Sequence, residues 1–107
     1  MKKIYNKLVR DKIPAIIEAD GKKANYRVLS KEERLAALEE KIKEELAEYM
    51  DAKTEAEKIE ELADIYEVLS ALIEVFGVRN VIDRAFEKYA ERGGFSRGVF
   101  LESVEVG

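Results

Sequence analysis

SKEERLAALEEKIKEELAEYMDAKTEAEKIEELADIYEVLSALIEVF, residues 30–76, reads as two long helices joined by a short turn. Ser30 stands three residues before Glu33, the spacing of a capping box, and opens a helix to about Asp51. Lys53-Thr54-Glu55 makes the turn, with Thr54 and Glu57 as a second capping box. The next helix runs to Phe76 and ends at Gly77, where a left-handed C-cap fits. At about 100° per residue, Leu35, Leu38, Ile42, Leu46 and Tyr49 gather on one side of the first helix. On the second, Ile59, Leu62, Ile65, Tyr66, Val68, Leu69, Leu72, Ile73, Val75 and Phe76 cover more than half the circumference. A helix apolar this far round must be covered on two sides, which one small chain can hardly do alone. The pattern predicts an all-α fold: an antiparallel helical bundle of two long and two shorter helices, completed by homo-oligomerisation into a homodimer or homotetramer.

The flanks supply the shorter helices. Pro14, the sole proline, follows Arg10-Asp11-Lys12-Ile13. Asp11 as N-cap with Pro14 in the first turn starts a short helix that stops at Asp20-Gly21. Residues 22–29 read as an extended connection. A last helix spans about Val78 to Arg92 and is stopped by Gly93-Gly94. The tail from Phe95 to Val106 alternates imperfectly and is expected to pair as a strand or wrap over the core. With 107 residues there is room for one core, so residues 1–107 read as a single domain.

Composition excludes several chemistries. There is no Cys, hence no disulfide framework, thiol nucleophile or Cys-ligated zinc. There is no His either, which removes imidazole bases, Ser-His-Asp catalysis and His-based metal sites. Any metal must therefore take oxygen ligands, pointing to Mg²⁺ or Mn²⁺. Nineteen Lys and Arg against 23 Asp and Glu leave a net charge of −4, which disfavours a nucleic-acid polymer as partner. No apolar run approaches the roughly 18–20 residues that span a bilayer, and no apolar signal region follows the charged start. A soluble, cytoplasmic protein with no membrane partner is expected.

Four carboxylates fall on the wrong faces of the long helices. Most acids, including Glu39, Glu40, Glu60, Glu67 and Glu74, lie toward solvent. Glu45, however, lies within the apolar arc of its helix, with Glu48 one turn on bordering the same side. Glu61 points between Val68 and Leu72, and Asp64 sits at the edge of the same arc. Each pair is three residues apart and so projects from one helix face. The turn makes the two helices antiparallel neighbours, so the pairs can meet across the interface. Burying unpaired carboxylates is costly, and a divalent cation would neutralise them. The competing reading is a set of surface glutamates paired with Lys41, Lys43 or Lys58.

At these residues the chain resembles a known family. Glu44-Glu45-Leu46-Ala47-Glu48, followed after twelve residues by Glu61-Leu62-Ala63-Asp64, is similar to the E-E-x-x-E … E-x-x-D signature of the MazG-like all-α nucleoside triphosphate pyrophosphohydrolases. That superfamily also holds dimeric dUTPases and the phosphoribosyl-ATP pyrophosphohydrolases of histidine synthesis. Asn6-Lys7-Leu8-Val9-Arg10-Asp11-Lys12-Ile13-Pro14 resembles the opening of its small phosphoribosyl-ATP-pyrophosphohydrolase-like branch, as Arg92-Gly93-Gly94-Phe95 resembles that branch's C-terminal element.

The resemblance implies Mg²⁺-dependent cleavage of a nucleotide to the monophosphate and pyrophosphate, as house-cleaning of non-standard nucleotides, or alternatively on phosphoribosyl-ATP. It implies Glu45, Glu48, Glu61 and Asp64 as metal ligands. Glu44 and Glu45 become the catalytic carboxylates, Glu44 in a water-orienting role because it leaves the apolar face. Lys7, Arg10 and Lys12 before the first helix, and Lys88, Arg92 and Arg97 around the Gly-Gly turn, are the expected phosphate contacts. A non-catalytic helical oligomer that binds a nucleotide or partner is the reading from a different class.

Overall fold

Local sequence rules account for most element boundaries in the computed structural model, which describes residues 1–107 and contains four helices and no strand. These are α1 (Ile13–Ala19), α2 (Lys31–Asp51), α3 (Glu55–Phe76) and α4 (Val78–Arg92). The chain divides into two units, Met1–Val75 and Phe76–Gly107.

In the first unit, α2 starts at the predicted capping box. The Ser30 hydroxyl accepts from the Glu33 N–H at 3.2 Å, and the Glu33 carboxylate accepts from the Ser30 N–H at 3.2 Å. Arg27 adds two bonds to the same carboxylate, at 3.0 and 3.3 Å. Arg27 first, and then the Ser30 backbone and hydroxyl, hold the Glu33 carboxyl down at about 2. This contribution to stability is complete above the ordinary Glu value near 4.5 and is lost as pH falls toward 2. Ser30→Ala is expected to cost about 1 kcal/mol, read from the midpoint of urea unfolding.

The start of α3 follows the same logic with one change. The Thr54 hydroxyl accepts from the Glu57 N–H at 3.1 Å, while the Glu57 carboxylate reaches back to the Lys53 N–H, at 3.2 Å, one residue earlier than a capping box requires. The start of α1 differs from expectation. Its N-cap is Lys12, without a side-chain cap, and Pro14 occupies the first turn. Pro14 lacks a donor in any case, so a side-chain cap has less to satisfy there.

α2 and α3 pack as a hairpin. Across the link of residues 52–54, the Lys58 ammonium donates to the Tyr49 carbonyl at 2.7 Å and sits 4.2 Å from the Tyr49 ring centre. The covered seam of α2 runs Leu35, Leu38, Ile42, Glu45, Tyr49, and that of α3 runs Lys58, Glu61, Ile65, Val68, Leu72, Val75. Both follow alternating steps of three and four, the spacing that keeps one line of a helix on its neighbour. Leu38 and Val68 are the only buried apolar side chains of the chain. Leu46 falls one residue off the seam and is half exposed, unlike its neighbours on the predicted face.

A second line runs along α3 one residue further on. Ile59, Leu62, Tyr66, Leu69, Ile73 and Phe76 repeat the three-four spacing, and all but Ile73 are exposed. The predicted breadth of the apolar arc is therefore present, with half of it uncovered by this chain.

In the second unit, Gly77 has φ +97° and ψ 120°, outside the left-handed helical region expected of it but still reached by glycine alone. A Cβ there would stand 2.8 Å from the Asn80 Nδ2, which donates to the Phe76 carbonyl at 2.9 Å. α4 ends at Gly93, φ +78°, whose N–H donates to the Tyr89 carbonyl at 2.8 Å. A Cβ on Gly94 would press on the Tyr89 ring at 3.1 Å, so the Gly-Gly pair is accounted for by the end of the helix. The tail forms no strand and is exposed throughout, so neither role expected of it is seen.

Candidate metal centre

The seams carry two carboxylates into otherwise apolar lines. Glu45 replaces an apolar residue on α2 and is only 6% exposed. Glu61 replaces one on α3 and is half-buried, with Asp64 a turn further along. One carboxylate oxygen from each of Glu45, Glu61 and Asp64 lies within 4.8 Å of the other two. Glu48 is exposed, stands beside Glu61, and with Asp51, Ala52, Glu57, Glu60 and Glu61 lines an open groove of about 350 Å³. Glu39, Glu40, Glu60, Glu67 and Glu74 face solvent as their helix positions require.

The electrostatics of the cluster are unbalanced. Lys41, one turn before Glu45, stands 3.7 Å from its Oε1 and 4.0 Å from the exposed Glu44. The Glu45 Oε2 and the Glu61 Oε2 are buried and have no hydrogen-bond partner. Loss of water first, and then contact with the Glu48 and Glu45 carboxylates, pushes Glu61 up to about 7. Loss of water, with the charges of Glu48 and Asp64, also raises Glu45, against the lowering effect of Glu61 and Lys41. Of the three lysines in the surface reading only Lys41 reaches one of these four carboxylates, and it leaves half of Glu45 unpaired; Lys43 pairs with Glu40 at 3.3 Å and Lys58 bonds the Tyr49 carbonyl.

A divalent cation suits this donor set. Hard cations bind oxygens at about 2.0–2.6 Å, so ligands on opposite sides of one ion are separated by about 4–5 Å. The oxygens of Glu45, Glu61 and Asp64 have that spread, and two of the three carboxylates carry an oxygen with nothing else to bond.

Of the expected phosphate contacts in the first unit, Lys7, Arg10 and Lys12, one reaches the cluster. The Arg10 Nη2 donates to the Asp64 Oδ1 at 2.7 Å. Lys7 and Lys12 are exposed without an ion-pair partner, Lys7 lying 5.9 Å from the Tyr5 ring centre. Lys88 and Arg92 on α4, and Arg97 after it, are also exposed and make no ion pair. The Arg10–Asp64 bond was not legible in the sequence, because nothing local relates residues 54 positions apart. The Lys41–Glu45 contact carries a signal, the i,i+4 spacing. No helix of the chain is long and apolar enough to cross a membrane.

Fold and cluster together define an all-α protein whose two central helices present a carboxylate group able to hold a divalent ion. The sequence profile of the family described as phosphoribosyl-ATP pyrophosphohydrolase matches residues 18–93, and the chain belongs to that family. It is a member of the MazG-like all-α superfamily, in agreement with the resemblance read from the acidic signature of residues 44–64. The match takes in α2, α3 and α4 and leaves out the Asn6–Pro14 segment and Phe95. The chain is also similar to an uncharacterised protein of Mycolicibacterium smegmatis, 49% identical over 47 residues, covering 44% of this chain and 48% of the relative. It thus spans about half the length of the curated relative it matches. No solved structure matches.

Proposed function

We propose that the protein is a Mg²⁺-dependent nucleoside triphosphate pyrophosphohydrolase that removes non-standard or surplus nucleotides in the cytoplasm. Residues 1–107 act as one domain in this reading, and Mn²⁺ can replace Mg²⁺. The observation that carries it is the convergence of Glu45, Glu61 and Asp64, with two orphaned carboxylate oxygens, in a chain of this family.

Water adds across one phosphoric anhydride bond, and a nucleoside monophosphate and pyrophosphate leave. Glu45, Glu61 and Asp64 hold the ion, and Glu48, beside Glu61, completes the set. A bound divalent ion neutralises phosphate charge and lowers the pKa of water, the one contribution this His-free chain cannot make with its own side chains. Glu44, exposed and next to Lys41, orients the attacking water and receives its proton. Arg10, Lys7 and Lys12 approach the phosphates from the N-terminal arm, and Lys88, Arg92 and Arg97 are the further cations assigned to them. The groove beside Glu48 is lined by acids alone apart from Ala52 and would repel a phosphate chain, so the cationic arm is the better approach.

A second copy of the chain is the partner that covers the exposed line on α3, as a homodimer or homotetramer. Cleavage of phosphoribosyl-ATP is the second reading, favoured by the description of the matching family. Pyrophosphate release from a panel of ordinary and damaged nucleoside triphosphates and phosphoribosyl-ATP, with and without Mg²⁺, tests both. Mg²⁺-dependent release is expected, fastest from a damaged or surplus triphosphate. Phosphoribosyl-ATP as the best substrate would replace the first reading by the second. No release from any of them, with divalent-ion binding intact, would mean a non-catalytic nucleotide-binding oligomer.

A further inference from the structure

Arg10 occupies an unusual place for a phosphate contact. Its guanidinium is bonded to Asp64, one of the three clustered carboxylates, at 2.7 Å. Apart from Lys41, on the same helix as Glu45, no other cation is paired with a carboxylate of the cluster. The charges of Glu67 and Glu45 also act on it. Its partner therefore belongs to the negative field that a divalent ion would enter.

We propose that Arg10 is the placeholder cation of the centre: it holds Asp64 until a divalent ion takes that carboxylate, and loading then releases Arg10 toward a phosphate oxygen. The inference rests on the metal-centre reading above and adds an order to it, ion before nucleotide. Three observations support it. The pair is solvent-exposed on both sides, 56% and 43% for the two side chains, so it is weak and readily exchanged. The Asp64 side chain is 43% exposed while Glu45 is only 6% exposed, so Asp64 is more open to an entering ion than Glu45. Glu67 lies one turn along α3 from Asp64, within the field felt by Arg10, and offers the guanidinium a second station without leaving the site. A guanidinium beside a loaded centre then faces a triphosphate, for which its fork of donors is suited.

The consequence is a pair of effects of opposite sign. Removing Arg10 takes away a competitor for Asp64 and a ligand for phosphate. Titration of the full-length protein with Mn²⁺ alone, followed by the electron paramagnetic resonance of the free ion, is expected to show Arg10→Ala and Arg10→Gln binding on the order of three- to tenfold more tightly than wild type. The same variants raise KM for a nucleoside triphosphate by at least about tenfold. In wild type, Mn²⁺ also speeds amide exchange at residues 7–12, which the variants do not show. Far-UV circular dichroism checks that both variants fold, and the exchange measurement needs no variant. Unchanged or weaker Mn²⁺ binding by the variants, with wild type still binding, overturns this inference and leaves the metal centre standing. Failure of wild type to bind Mn²⁺ overturns both.

Discussion

Glu61→Gln is expected to abolish divalent-ion binding and pyrophosphate release, and at the same time to make the metal-free protein more stable at pH 8. The first effect follows from charge: the amide keeps the shape of the side chain but removes an anionic ligand between Glu45 and Asp64. A loss of at least about 1,000-fold in kcat/KM is the scale expected when the ligand set of a catalytic ion is broken. The second effect follows from linkage. Glu61 titrates at about 7 in the folded chain against 4.5 ordinarily, so between those values the folded state holds a proton that the unfolded state has released. Stability therefore falls as pH rises through this window and levels off above it. The amide has no such proton to lose. Thermal melts with a chelator present, from pH 4 to 9, should show the variant level with wild type near pH 4 and melting above it at pH 8. Added Mg²⁺ should raise the wild-type curve at high pH and leave the variant unmoved. A variant less stable than wild type at every pH would mean that the cluster is held by contacts other than those described.

The second large effect belongs to the uncovered line of α3. Leu62→Glu combined with Leu69→Glu is expected to turn an oligomer into a monomer. Leu62 and Leu69 are 50% and 45% exposed and occupy alternate steps of the three-four line between Ile59 and Phe76. If a second copy covers that line, the double variant brings four carboxylates into one dimer interface. Each desolvated charge costs several kcal/mol, so association should weaken by at least about 1,000-fold. Sedimentation velocity at micromolar concentration distinguishes the cases. Wild type should run as a dimer or tetramer, and the variant as one chain with its α2–α3 hairpin retained by circular dichroism. A wild type that sediments as a monomer would remove the oligomeric part of the proposal.

What the sequence could show depended on how local the cause was. The limits of α2 and α3 are legible because capping residues and glycine act within a turn of themselves. Glu45 and Glu61 stood out because helix geometry projects a residue's direction from its number, and both proved to interrupt covered lines. Asp11 does not cap α1: the helix begins one residue later than that reading requires, after Lys12, and Pro14 in its first turn has no N–H for a side chain to cap. A broad arc on a wheel does not distinguish the line that touches a neighbour from its edge, and so it takes in Leu46, which is half exposed. Glu48 shares the three-residue spacing of the other pair and is exposed where Glu45 is buried, because spacing along one helix says nothing of depth. The bond between Arg10 and Asp64 depends on where the arm crosses α3, which no local rule specifies.

The three residues between α2 and α3 carry information that their side chains do not. Lys58 on Tyr49 closes the hairpin at one end, and Glu61 meets Glu45 a turn further in. That correspondence is set by counting backbone units across residues 52–54. A longer or shorter link would change where α3 begins alongside α2, and with it the register that brings Glu61 opposite Glu45. The length of a connector is in this sense part of the ligand set: it is inherited as a number, and a survey of point substitutions would never register it.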